Sequence, residues 1–224
     1  MIISENLNKI KATIPQGVIL VAVSKTKPIS DIMEAYNAGQ RIFGENKIQE
    51  MTDKWEQMPK DIEWHMIGHV QRNKVKYMAE YVSLIHGVDS FKLLKEINKQ
   101  ALKHNRTINC LLQIHIAEEE TKFGMDVNEV NALLSSEDYK NLKNIKISGL
   151  MGMATYTDNT DQIKKEFTFL HSLFNEIKNQ IPLANTTEFK TLSMGMSDDY
   201  KLAIESGSNM VRIGSSIFGN RKYD

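Results

Sequence analysis

The sequence has one cysteine, Cys110, so no disulfide can form within the chain. That fits a reducing compartment. Cys110 lies inside the apolar run Ile108–Ile116, where packing suits it better than nucleophilic chemistry. There is no excess of one charge: 28 Lys plus Arg balance 28 Asp plus Glu. Nothing in that balance suggests a broad nucleic-acid surface or a polybasic membrane face. The local run Gln71-Arg72-Asn73-Lys74-Val75-Lys76 reads as a solvated helix face. No stretch approaches the roughly 18 apolar residues of a membrane span. The first residues lack a basic segment followed by an apolar one, so no secretory signal is expected. The expectation is a cytoplasmic protein without membrane attachment. No glycine-rich fingerprint follows the first apolar run, which argues against an open dinucleotide-binding sheet. Low-complexity tracts and linkers are also missing, so residues 1–224 read as a single domain.

What is present is an alternation of short apolar runs with longer amphipathic ones. The apolar runs are Val18–Ser24, Arg41–Phe43, Ile62–Ile67, Val82–His86, Ile108–Ile116, Ile145–Met151, Phe189–Ser193 and Met210–Ile213. Between them the periodicity predicts helices over Ile29–Ala38, Asn46–Gln57, Asn73–Tyr81, Ser90–His104, Asn128–Leu134, Asp161–Gln180 and Ser197–Ser206. Ser30, Ser90 and Ser197 are candidate N-caps, and Gly39 and Gly207 candidate C-cap glycines. Eight strand–helix units in 224 residues predict an α/β fold, a single (β/α)8 TIM-type barrel.

In such a barrel, the C-terminal strand ends face the active-site mouth. The first strand runs into Lys25. A lysine closing an apolar strand is costly to desolvate, and partial desolvation frees its amine to attack an aldehyde. The same residue could simply snorkel to solvent. Lys27 is a second amine nearby. At the second end, Asn46 could offer an amide to a ligand or cap a helix. At the third, His65 and His69 lack partners at metal-ligand spacing, and His65 reads first as a core histidine. The loop Glu118-Glu119-Glu120-Thr121-Lys122 reads as a solvated rim. The seventh and eighth ends, Ser193-Met194-Gly195-Met196-Ser197 and Arg212-Ile213-Gly214-Ser215-Ser216, suit an anion: Gly214 allows close approach, and Ser197 and Ser215 can donate. Arg212 needs a partner, either a ligand or a barrel carboxylate. An amine facing an anion site and an arginine suits an aldehyde that carries a phosphate.

These residues carry a family resemblance over nearly the whole chain. Val21-Ala22-Val23-Ser24-Lys25, Phe43-Gly44-Glu45-Asn46 with Gln49-Glu50, Trp64-His65-Met66-Ile67-Gly68, Gln71 with Asn73-Lys74, Ser193–Asp199 and Val211-Arg212-Ile213-Gly214 together resemble the pyridoxal 5′-phosphate (PLP) homeostasis proteins. That family is similar to the barrel domain of bacterial alanine racemase standing alone, a fold-type III PLP barrel without the C-terminal β-domain. The resemblance implies a Schiff base on Lys25 and an Arg212 that faces the pyridine nitrogen. It implies phosphate held by Ser197, Gly214 and Ser215, with Asn46 beside the ring. It further implies a non-catalytic PLP carrier in vitamin B6 homeostasis, with apo PLP-dependent enzymes as candidate recipients. Arginine only donates, so the ring nitrogen it meets must stay unprotonated, which weakens the electron sink that carbanion chemistry needs. The alternative is a small PLP-dependent amino-acid racemase, with Tyr156 or His65 as a second acid–base group. The chain ends eleven residues after the eighth apolar run, so the β-domain of the racemases is expected to be absent and the protein monomeric.

Overall fold

The computed structural model of the chain describes residues 2–180 and 188–219. Eight parallel strands close into a barrel in sequence order: β1 (Ile19–Val23), β2 (Ile42–Glu45), β3 (Glu63–Met66), β4 (Leu84–Val88), β5 (Ile108–Ile114), β6 (Ile145–Gly152), β7 (Thr191–Ser193) and β8 (Met210–Ile213). Each apolar run of the sequence overlaps one of these strands, and β2, β4 and β6 run on past the ends read from the sequence, to Glu45, Val88 and Gly152. Parallel neighbours need crossover connections. These are α2 (Ile29–Asn37), α3 (Ile48–Gln57), the 3-10 helix Arg72–Tyr77, α4 (Phe91–Lys103), α5 (Val127–Ser135) with α6 (Glu137–Lys140), α7 (Thr160–Gln180) and α8 (Tyr200–Glu205). A first helix, α1 (Ile2–Thr13), precedes the barrel, and a short α9 (Ser215–Phe218) follows β8.

Side-chain alternation along the strands builds two cores. Val21, Leu84, Leu111, Met151 and Met210 pack together inside the barrel. The opposite parity, including Ala22, Phe43, Trp64, Ile85, Leu112, Leu150 and Val211, packs against the helices. Phe43 and Trp64 lie side by side there with ring centroids 6.0 Å apart. Closure is made by β1 on β8, with Val21 opposite Arg212 and Ala22 opposite Ile213.

Several boundaries differ from the periodicity. Ser90 caps α4, accepting from the Leu93 N–H at 3.3 Å. Ser30 instead lies inside α2, whose N-cap is Pro28. Ser197 sits in a turn ahead of α8, whose N-cap is Asp199. The segment expected as a helix over Asn73–Tyr81 is the 3-10 turn Arg72–Tyr77. α1 escaped the strand–helix count because no strand precedes it, although Leu7 is fully buried and Ile3 and Ile10 pack on the core.

Candidate functional site

The amine of Lys25 is presented by a clamped stretch of backbone. Ser24 continues the ladder, its N–H donating to the Gly44 carbonyl at 3.0 Å. Its hydroxyl donates to Glu45 Oε1 at 2.6 Å, on the helix side of the barrel wall. Lys54 Nζ reaches across from α3 to donate to the Ser24 carbonyl at 2.8 Å, to Glu45 Oε1 at 2.8 Å and to Glu50 Oε1 at 2.6 Å. On the other flank, the Thr26 N–H donates to Glu50 Oε1 at 2.6 Å. Thr26 has φ +64°, a conformation that β-branched residues rarely hold. Both neighbours of Lys25 are therefore pinned to one carboxylate–ammonium cluster. Ser24 turns outward, which leaves Lys25 on the inward parity of Val21 and Val23, half-buried above the strand end. The second amine, Lys27, is differently engaged: its Nζ donates to the carbonyls of Phe218 at 2.9 Å and Gly219 at 3.0 Å, at the end of α9.

Glu45 is fully buried, and its Oε2 has no hydrogen-bond partner among the described residues. Burial pushes its carboxyl up to about 6, against the opposing pull of Lys54. In the unfolded chain the group titrates near 4.5. The folded protein therefore holds this proton more tightly, and its contribution to stability is greatest below pH 4.5 and declines as the pH rises to 6. Glu45→Gln cannot titrate. Between pH 4.5 and 7, wild type is expected to lose on the order of 1–2 kcal/mol relative to that variant. Parallel denaturant titrations at the two pH values check this, and identical changes in both proteins would refute it.

The turns after β7 and β8 form a cup. The Gly214 N–H donates to Ser197 Oγ at 3.2 Å, tying the two turns together. The backbone N–H groups of Ser197, Asp198, Ser215 and Ser216 find no acceptor among the described residues. Four such donors, two of them opening α9, suit an anion. Ser215 is exposed at the lip. Gly214 packs flat on β1: a Cβ there would stand 3.1 Å from the Val23 carbonyl oxygen. Asp199 turns inward, accepting from the Met196 N–H at 2.6 Å, and burial raises its pKa.

Arg212 is 3% exposed, on the inward face of β8. Its Nη1 donates to the Ser193 carbonyl at 2.9 Å and Ser193 Oγ at 2.6 Å, and its Nη2 to the Gly152 carbonyl at 3.1 Å. No carboxylate lies within ion-pair distance of it among the described residues, so the structural ion pair weighed from sequence is not what holds it. None of these bonds uses its Nε–H. Burial draws its pKa down to about 10, where it still carries its charge at neutral pH.

The sequence-derived candidates thus divide. Lys25, Ser197, Arg212, Gly214 and Ser215 gather along the β1–β8 seam and the adjoining β7 turn. Asn46 lies one strand further round. It is not a helix cap, since α3 begins at Ile48 after Lys47, and its backbone lies so close to Gly68 that a Cβ there would be 2.5 Å from the Asn46 carbonyl oxygen. His69 is on the rim, stacked on Phe123 at 3.9 Å and bonded to Asp89 at 3.0 Å. The Glu118–Lys122 loop is more than a solvated rim. Lys122 donates to the Ala154 carbonyl and pairs with Glu119, which also accepts from the Tyr156 N–H, so the loops after β5 and β6 are stapled together. Glu45, Lys54, Thr26, His86 and Ser193 were not read as site residues. Lys54 carried a signal: it continues the buried Ile48, Met51 stripe of α3, where a charge is out of place.

Residues 2–222 match the model of the alanine racemase N-terminal domain. The pyridoxal phosphate homeostasis protein of Pasteurella multocida is 40% identical over 100% of this chain and 99% of its own length. The chain belongs to the pyridoxal phosphate homeostasis protein family. That of Aquifex aeolicus is 40% identical over 91% of this chain and 87% of its own. Among solved structures, PipY of Synechococcus elongatus with PLP bound aligns at TM-score 0.87, with 33% identity, over 97% of this chain and all of PipY. Alanine racemase from Bartonella henselae, at 15% identity and TM-score 0.71, shares the barrel over 99% of this chain but only 63% of its own. The homeostasis family therefore has the racemase barrel, and over 224 residues this chain matches its members nearly end to end. Among the described residues, no helix is long and apolar enough to cross a membrane.

Proposed function

We propose that residues 1–224 form a single PLP-binding barrel domain that carries the cofactor on Lys25 within cytoplasmic vitamin B6 homeostasis, as a monomeric carrier without turnover. One observation supports this reading above the rest. A buried arginine whose Nε–H has no partner among the described residues, and two tied turns with four N–H groups likewise unpaired among those residues, converge on the strand seam from which Lys25 rises. Bound PLP supplies an aldehyde, a phosphate and an aromatic ring with an acceptor nitrogen. The donor set fits each part. The N–H groups of the Ser197 and Ser215 turns, with both hydroxyls, would hold the phosphate, and Gly214 gives it room. Arg212 would donate to the ring nitrogen and keep it unprotonated. Asn46, whose side chain makes no hydrogen bond among the described residues, would lie beside the ring. The clamp on Ser24 and Thr26 fixes the backbone from which the Lys25 amine reaches the aldehyde. The names and the PLP-bound structure of the family's other members support the same assignment.

The carrier reading is favoured over a racemase by where the second acid–base candidates lie. Tyr156 is 86% exposed, and His65 is buried in the barrel with its pKa lowered to about 3 by desolvation. Recipients of the cofactor would be apo PLP-dependent enzymes. The test is a visible spectrum of the purified protein before and after borohydride, followed by peptide mapping. The reduced adduct is expected on the peptide containing Lys25; a colourless protein that PLP cannot reconstitute would sink the binding assignment. Incubation with L-amino acids and PLP is expected to leave their stereochemistry unchanged, and inversion would overturn the carrier role.

A further inference from the structure

Below Arg212 a chain of polar groups crosses the barrel interior, where packed apolar layers are the rule. Ser193 Oγ, which accepts from Arg212 Nη1, lies 2.9 Å from His86 Nδ1. His86 Nε2 lies 3.0 Å from His65 Nδ1. Ser193 and His86 are fully buried, and His65 is 3% exposed. His65 borders a cavity of about 480 Å³ at the opposite end of the barrel, lined by a residue at or next to the start of every strand, from Ile19 to Met210.

Arginine fixes the first bond of this chain: it can only donate, so Ser193 Oγ accepts from it. A hydroxyl oxygen has two lone pairs, so that bond alone does not place the serine proton. Among the described residues His86 Nδ1 is the one further partner of Ser193 Oγ, and the arrangement that satisfies the serine proton sends it there, with Nδ1 as acceptor. His86 therefore carries its proton on Nε2 and donates to His65 Nδ1, and His65 keeps its own proton on Nε2. Both imidazoles are neutral in this arrangement. Burial works in the same direction, depressing both histidines, with the Arg212 charge adding to the effect on His86.

We propose that His86 and His65 are positioning residues for Arg212: a one-way chain of neutral hydrogen bonds orients the guanidinium without a salt bridge among the described residues and leaves its Nε–H directed to the ligand. A carboxylate in the same place would hold the arginine equally well but would neutralise it. The neutral chain holds it without spending its charge, so the site selects a ligand whose ring nitrogen is an unprotonated acceptor. This rests on the reading that Arg212 meets the cofactor ring.

Two measurements keep the proposal and that reading apart. The first uses the protein without cofactor: long-range proton–nitrogen correlation on ¹⁵N-histidine-labelled protein reports each ring's tautomer. Nε2–H is expected for both His65 and His86, and a protonated Nδ1 on either would overturn the chain whatever the protein binds. The second compares wild type with His86→Leu, His86→Gln and Ser193→Ala, all loaded with PLP. Ser193→Ala removes a single oxygen and guards against misfolding of the leucine variant. His86→Leu and Ser193→Ala are each expected to shift the absorption maximum of the bound cofactor and to weaken PLP binding about tenfold, the equivalent of one hydrogen bond of about 1.4 kcal/mol. His86→Gln, which can accept and donate, is expected to restore both. An unshifted maximum with unchanged affinity in Ser193→Ala would overturn the proposal. A wild type that fails to bind PLP would instead overturn the cofactor assignment.

Discussion

Lys25→Ala is expected to abolish the borohydride-stable adduct and the visible band of the bound cofactor, whereas Lys27→Ala keeps both. The two amines are two residues apart, and sequence alone offers either as the nucleophile. In the structure the two are held differently. Lys27 is spent on the Phe218 and Gly219 carbonyls, where an ammonium satisfies the orphan acceptors at the end of α9. Lys25 stands on the inward parity between two clamped neighbours, on the strand that Gly214 packs against. Its loss leaves the turns of Ser197 and Ser215 intact. Lys25→Ala is therefore expected to retain weak, reversible affinity for PLP that inorganic phosphate competes away. Lys27→Ala should instead loosen α9 and lower the melting temperature while the adduct still maps to residue 25. An adduct lost in Lys27→Ala and kept in Lys25→Ala would reverse the assignment.

The largest effect on the fold is expected from Gly149→Ala. Gly149 lies in β6 where the pairing with β5 shifts register between Cys110 and Leu111. Its φ is +152°, and a Cβ there would stand 1.8 Å from the Thr191 carbonyl oxygen of β7. Backbone cannot give way as a side-chain tip can, so one methyl group must spread β6 from β7 or flatten the bulge. A cost on the order of 4–5 kcal/mol follows, much of the stability of a typical domain. β7 has only three residues, so it has little pairing to lose. Thermal melts of purified protein check this. A variant that melts within about 2 °C of wild type would contradict the steric argument, since even 1 kcal/mol moves a domain this size by about 2–4 °C.

Much of the barrel was legible because its strands are short, apolar and regularly spaced, and because Lys25, Arg212 and Gly214 each break the local rule for a strand end. What was not legible depends on pairing over long separations. His86 and Ser193 are 107 residues apart, and Ser24 and Lys54 are 30 apart. Each has an ordinary local reading, and no periodicity connects them. Helix starts were the weakest local reading. A serine ahead of an apolar run marked α4 correctly, but at Ser197 the same residue type serves the β7 turn, where its oxygen takes the Gly214 N–H. α1 was overlooked because it adds no strand, yet it covers the closing seam, with Asn6 Nδ2 donating to the Ile217 carbonyl at 3.2 Å.

The closing seam also sets when the protein can first work. Val21 must wait for Arg212, which leaves the ribosome 191 residues later, and loop closure over such a span comes late. On the proposed assignment, a nascent chain until then has the Lys25 amine but no cup for a phosphate. Truncated or stalled products are, on the same assignment, expected to be unable to withhold PLP from the enzymes that need it.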